Sequence, residues 1–168
     1  MTRRLLTLAA CAALLIAFGC KPRMREVTSL QRKEAATLVS EAQFAVQIRD
    51  LARAEGLYTK ATALCPDDGK YWVDLGALRV RLGNRDAART AYRSALSAYE
   101  AAAADAKEPQ AMLQQVYVLA LLGRADDARA VLTKTQKKFP DNRAVRGFTD
   151  GGQFDRMIDD PRFKEIAL

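Results

Sequence analysis

There is no histidine anywhere in the 168 residues. Its absence removes the Ser-His and Cys-His nucleophile–base pairs, the mixed His/Cys zinc sites and the commonest general acid–base group. Carboxylate chemistry is what remains open to an enzyme, and an enzyme is not the expected reading. Cysteine is scarce at three residues, and aromatics make up 7% of the chain with a single tryptophan. Alternating apolar–polar runs of strand type are missing as well. What the chain does have is 49% apolar residues, enough for a packed core, in a length that suits one domain with short extras.

The formal net charge of +7 raises the question of a nucleic-acid partner. Such a domain concentrates its basic residues on a folded face. Here the excess sits at the front, in Arg3, Arg4, Lys21, Arg23, Arg25, Arg32 and Lys33, against Glu26 alone. From Glu34 onward 20 basic residues meet 19 acidic ones. The positive charge belongs to a leader and a tether, and no nucleic-acid partner is expected.

After Arg3 and Arg4, Leu5 to Phe18 is an uncharged apolar run broken only by Thr7. These are the n- and h-regions of a secretory signal, and the run is shorter than the roughly 20 residues of a membrane span. It ends in Ala17, Phe18, Gly19 and Cys20. That ending resembles the lipobox of bacterial lipoproteins, whose cysteine receives a diacylglyceryl thioether and becomes the new N-terminus. A plain signal anchor or a buried N-terminal helix is the alternative. Leu8 to Cys11 has a similar local pattern, but a cut there would leave almost no apolar segment after Arg4. The resemblance implies that residues 1–19 are removed, that Cys20 carries the lipid (palmitate among its acyl chains), and that the chain faces the periplasm from a membrane. Lys21, where an aspartate would favour the inner membrane, points to the outer one.

With Cys11 in the leader and Cys20 alkylated, Cys65 is left alone. One thiol forms no intrachain disulfide, and Cys65 reads as a small buried residue near a helix end. Residues 20–27 then form a lipidated cysteine and a basic tether. The tether is either a solvated linker or a contact with anionic head groups, worth about 1 kcal/mol per basic residue near such a surface.

Behind the tether, the density of Ala, Leu, Gln, Arg and Glu argues for helices. Self-similarity is plain. Leu38, Ala42, Ala54, Tyr58 and Ala61 recur 34 residues later as Trp72, Gly76, Ala88, Tyr92 and Ala95. The same frame returns 40 residues further on as Met112, Val116, Ala128, Leu132 and Thr135. The middle copy, with Trp72, Leu75, Gly76, Leu82, Gly83, Ala88, Tyr92 and Ala95, resembles the tetratricopeptide repeat (TPR) family. The first copy has Arg49 where the turn glycine belongs, and the third has Val116 in place of the small residue.

The resemblance implies an all-α fold: a short right-handed α-solenoid of about three TPR helix pairs, with a C-terminal capping segment, behind a cleavable signal peptide. The TPR domain is placed at 28–142, with repeats at about 35–68, 69–102 and 109–142 and a helical cap at 143–168. Small residues let paired helices approach, and Trp72, Leu75 and Tyr92 fill the remaining gaps. Gly83 and Gly123 lie just past a helix end, where a left-handed residue is needed. Pro66 and Pro140 mark exits from second helices, and Asp50 and Asp86 are expected as N-caps. Thr28 to Gln31 reads as a capping box opening a helix to about Arg49. The six extra residues before the third copy extend the second helix to about Lys107, as a tolerated insertion or a protrusion, and Pro109 starts the next helix. Asp160-Pro161 reads as a cap with proline at the first helical position. Phe154, Ile158, Phe163 and Ile166 are expected to close the end of the stack. Asp155, Asp159 and Asp160 read as caps and turn residues, with no metal and no cofactor expected.

The concave side of such a solenoid is lined by the first helix of each repeat, and in this family it usually holds a peptide or a partner's helix. By frame, its candidates are Val39, Gln43, Gln47, Lys70, Asp74, Arg81, Gln110, Gln114 and Tyr117. The positions that form a basic clamp for a C-terminal carboxylate in chaperone-binding members correspond to Val39, Gln43, Asp74, Gln110 and Gln114. With no Lys or Arg among them, that use is not expected. A glutamine-rich face suits an uncharged or mixed polypeptide surface, although an edge or the convex side remains open as the binding face. The implied function is a non-catalytic, lipid-anchored adaptor of the bacterial envelope. Lipoproteins of this plan assist outer-membrane assembly, act as pilotins or tether peptidoglycan hydrolases. The alternative is a carboxylate-dependent envelope enzyme acting on glycans, which would need two carboxylates facing each other across a groove.

Overall fold

A computed structural model describes residues 26–168. The leader, the lipobox, Cys20 and the tether up to Arg25 lie outside the described residues. Within them the chain is all-helical: α1 (Ser29–Gln47), α2 (Leu51–Leu64), α3 (Gly69–Arg81), α4 (Arg85–Ala103), α5 (Gln110–Leu121), α6 (Ala125–Lys138), α7 (Arg143–Thr149), α8 (Gln153–Asp159) and α9 (Pro161–Lys164). Each helix packs on its neighbour in sequence, as a solenoid requires. No described helix is long and apolar enough to cross a membrane.

Three tight turns pair α1 with α2, α3 with α4 and α5 with α6, and all three share one hydrogen-bond pattern. The amides of Arg49, Gly83 and Gly123 donate to Val46, Val80 and Ala120. The amides of Asp50, Asn84 and Arg124 donate to Ala45, Arg79 and Leu119, each at 2.9 Å. This double bond set is the Schellman ending, which needs a left-handed residue after the helix cap. Gly83 (φ 78°) and Gly123 (φ 71°) supply it freely, and Arg49 takes the same conformation (φ 61°) despite its side chain.

The residue that closes each turn also sits at the N-cap of the next helix. Asp50 accepts from the Arg53 amide, and Asn84 accepts from the Ala87 amide at 3.1 Å. The cap of α4 is therefore Asn84, not Asp86. Asp86 lies in the first turn, where a carboxylate also suits the helix dipole, and pairs with Arg89. At α1 the capping box forms as expected, with Thr28 and Gln31 bonding reciprocally. The cap of α9 is Asp160, with Pro161 at the start. α4 stops at Ala103 rather than near Lys107, because the chain turns through Ala104 to Glu108 before α5, and Pro109 occupies the N-cap position there.

Small residues set the helix spacing. Ala42, Ala45, Ala54, Ala61, Ala88, Ala91 and Ala95 are fully buried. Gly76 lies directly under the Tyr92 ring, and Gly69 under Tyr99. Two hydrophobic cores result. One joins α1 to α3 with Ala91 of α4, and the other runs from Tyr92 of α4 to the last residues. Trp72 packs against both, and its indole N–H donates to the Pro66 carbonyl at 3.0 Å. Arg79 adds a polar tie between helices, bonding Glu55 of α2 at 2.9 Å and the Ala87 carbonyl of α4. Cys65, the C-cap of α2, is buried with its thiol toward the Gln31 carbonyl.

Candidate partner-binding face

The first helices of the three pairs are α1, α3 and α5, and they carry all nine candidate residues. The structure treats them unequally. Val39 is 6% exposed and belongs to the first core, which withdraws it from any open face, because its position on α1 faces the second helix. Gln43 and Gln47 of α1 come together with Asp74 and Arg81 of α3 around a pocket of about 380 Å³. Its apolar floor is Val46, Tyr58, Ala77 and Leu78. Burial, helped by the Asp74 carboxylate, pushes the Tyr58 phenol up to about 12, so it is neutral at any physiological pH.

Lys70 does not line the pocket but donates to Asp74 at 2.9 Å, in an exposed pair of one helix turn. Such a pair contributes a few tenths of a kcal/mol. Its local effect is to offset the carboxylate, so the pocket presents amides, one guanidinium and an apolar floor. Gln110 is exposed at the start of α5, and Gln114 is half-buried one turn on. Neither lines that pocket.

Tyr117 is placed differently from the other candidates. Its ring meets Phe163 of α9 edge-on, with centroids 5.7 Å apart and an interplanar angle of 73°. Burial raises its phenol above the ordinary value. The C-terminal segment thus does more than close the end of the stack. α7 and α8 follow α6, and Phe154, 2% exposed, joins the second core beneath the Arg129 guanidinium. From Asp160 onward the chain turns back onto α4 and α5. The Tyr92 hydroxyl donates to the Ile166 carbonyl at 2.6 Å, Arg85 donates to the Ala167 carbonyl, and the Leu168 amide donates to the Leu121 carbonyl at 2.8 Å. The tail, Tyr117 and Arg81 share a second pocket, of about 610 Å³.

Two residues that hold this face escaped the sequence reading. Tyr58 was visible as a frame residue but not as a pocket floor. Gln115 is buried and donates to the Tyr99 carbonyl at 3.1 Å, tying α5 to α4. Its signal was a polar residue among the apolar positions of α5. Three aspartates of the C-terminal segment pair with basic side chains, Asp155 with Arg129, Asp159 with Lys164 and Asp160 with Arg162.

Among curated proteins, no sequence matches this chain. Residues 110–142 match the family model described as tetratricopeptide repeat, a span that covers α5 and α6. The matched pair is the third of three built on one turn geometry, and the match identifies that stretch as a tetratricopeptide repeat.

Proposed function

We propose that the chain is a non-catalytic adaptor, lipid-anchored at Cys20 in the bacterial envelope with the outer membrane favoured, that holds a partner polypeptide against the inner side of its helix pairs. Repeats of this family are typically interaction modules, and the protein-binding role rests on that. The observation that carries the choice of face is the pocket of Gln43, Gln47, Asp74 and Arg81 over Tyr58. Two amides that donate and accept, one arginine and a half-neutralised carboxylate suit a backbone or an uncharged side chain better than a carboxylate terminus.

The anchor follows from the lipobox-like ending at Ala17 to Cys20 and the basic residues after it. Each buried methylene contributes about 0.8 kcal/mol, so two or three acyl chains would hold the adaptor on its membrane. Assembly, pilotin-like and hydrolase-tethering roles all fit this plan.

Photo-reactive residues at Gln43, Asp74, Gln114 and Tyr117, crosslinked in native membranes and followed by mass spectrometry, test the reading. One dominant protein adduct, lost when Gln43→Trp fills the pocket, is the expected result. No adduct at any of the four positions overturns the choice of face. The mass of the N-terminal peptide from the same sample tests the anchor, which fails if Cys20 is unmodified.

A further inference from the structure

The final residues of the chain fold back onto α4 and α5, one helix from each of two adjacent pairs, as a bound segment would. Phe163 is 8% exposed and its ring rests on Tyr117 of α5. Three residues later the Ile166 carbonyl takes the Tyr92 hydroxyl, then Ala167 takes Arg85, and the Leu168 amide reaches Leu121. Two adjacent helix pairs therefore grip one segment, and they do so mainly through its backbone. Backbone bonds carry no side-chain preference. Selectivity falls to the aromatic at Phe163 and the partly buried aliphatic residues Ile166 and Leu168, which join the second core.

Beside this segment the second pocket is lined by Arg81, Arg156 and, from the tail itself, Arg162. The acidic group that accompanies them is Asp160, and it is engaged by Arg162 of its own segment. Asp159 and Asp160 are both paired inside the tail, with Lys164 and Arg162, so charge does not set what the groove selects. Those three bonds and three apolar side chains are what hold the tail. α9 has four residues, and the ion pairs that flank it are exposed.

We propose that the groove formed by Arg85, Tyr92, Tyr117 and Leu121 is a peptide-binding site occupied in cis by residues 160–168, and that its partner is a segment carrying an aromatic residue followed by aliphatics three and five positions later. The tail is then an internal competitor that the partner displaces. This rests on the reading that the helix pairs bind polypeptide. A tethered competitor holds a local concentration far above that of a free ligand, so the wild type shows only a fraction of the groove's intrinsic affinity.

The probe is a fluorescent peptide with the sequence of residues 159–168, titrated into the full chain and read by anisotropy. Phe163→Ala and Ile166→Asp loosen the tail at two different contacts, and circular dichroism checks that each variant keeps its helices. Binding at least about tenfold tighter to both variants than to wild type, lost when Tyr117→Ala is added to Phe163→Ala, is expected. Equal affinity for wild type and variants, or no binding to either folded variant, overturns the proposal. So does dimerisation of the variants by light scattering with no peptide uptake, which would make a second copy the occupant. The crosslinks at Gln43 and Asp74 lie away from the tail, so the adaptor reading stands or falls separately.

Discussion

The phenol of Tyr92 reaches across 74 positions of sequence to donate a 2.6 Å hydrogen bond to the Ile166 carbonyl. The ring that anchors the middle helix pair thus also holds the tail. Tyr92→Phe keeps the ring over Gly76 and removes only the donor. The expected loss is about 0.5–1.5 kcal/mol in urea denaturation. Amide exchange should quicken at Leu168, whose bond to Leu121 closes the same contact, and remain unchanged in α1 and α2.

Gly76 tests the other side of that ring. A methyl group there would fall 2.6 Å from Tyr92 Cδ1, well inside contact distance, and the ring has no room to retreat because it is fully buried. Gly76→Ala should destabilise by about 1–3 kcal/mol despite alanine's better helix propensity. Gly56→Ala is the control, since nothing lies within 4 Å of a methyl group at that helical position. It should stabilise slightly, by about 0.5–1 kcal/mol. Thermal denaturation of the two variants side by side separates packing from propensity.

Arg49 sits in the conformation that its two counterparts reach as glycine. A left-handed backbone costs an L-residue about 1–2 kcal/mol. Glycine returns part of that through its greater freedom when unfolded, about 0.5–1 kcal/mol. Arg49→Gly is therefore expected to raise stability by a few tenths to about 1 kcal/mol, seen as a higher urea midpoint with an unchanged slope.

All five tyrosines have phenols held above their ordinary value, with burial as the leading cause each time. Tyr58 and Tyr99 are pushed up to about 12. The folded state thus favours the neutral phenol. Its contribution is fully present below the unfolded value of about 10, and is lost as the pH rises through the folded values. Absorbance titration should show little tyrosinate near pH 10, then a steep rise together with loss of helix. A smooth, unfolding-free titration centred near about 10 would contradict the buried placement of these rings.

Much of this architecture was legible because each repeat carries its own punctuation. The turn glycines, the small residues at helix contacts and the Thr28–Gln31 box each act through local geometry, which the sequence shows directly. Asp86 misled because it and Asn84 both suit a cap, and only the turn hydrogen bonds assign the role to Asn84. Val39 misled because the frame gives position along a helix but not how far the helix is rotated toward its partner. The return of residues 160–168 to Tyr117 and Tyr92 was not legible at all. It depends on contacts between segments far apart in sequence, and its local signal, Asp160-Pro161, marks a helix start without saying where that helix goes.

Trp72 stands where the two cores meet, and it is the chain's single tryptophan. Its emission is therefore a built-in gauge of whether the front and rear halves move as one body. If they part before either melts, the indole keeps its Pro66 bond within the front half but loses its contacts with the rear core and meets water while helix content is still intact, so fluorescence would change ahead of circular dichroism. Coincident curves would mean that the seam is as firm as the halves it joins, and that strain applied at the rear pair is felt at the front.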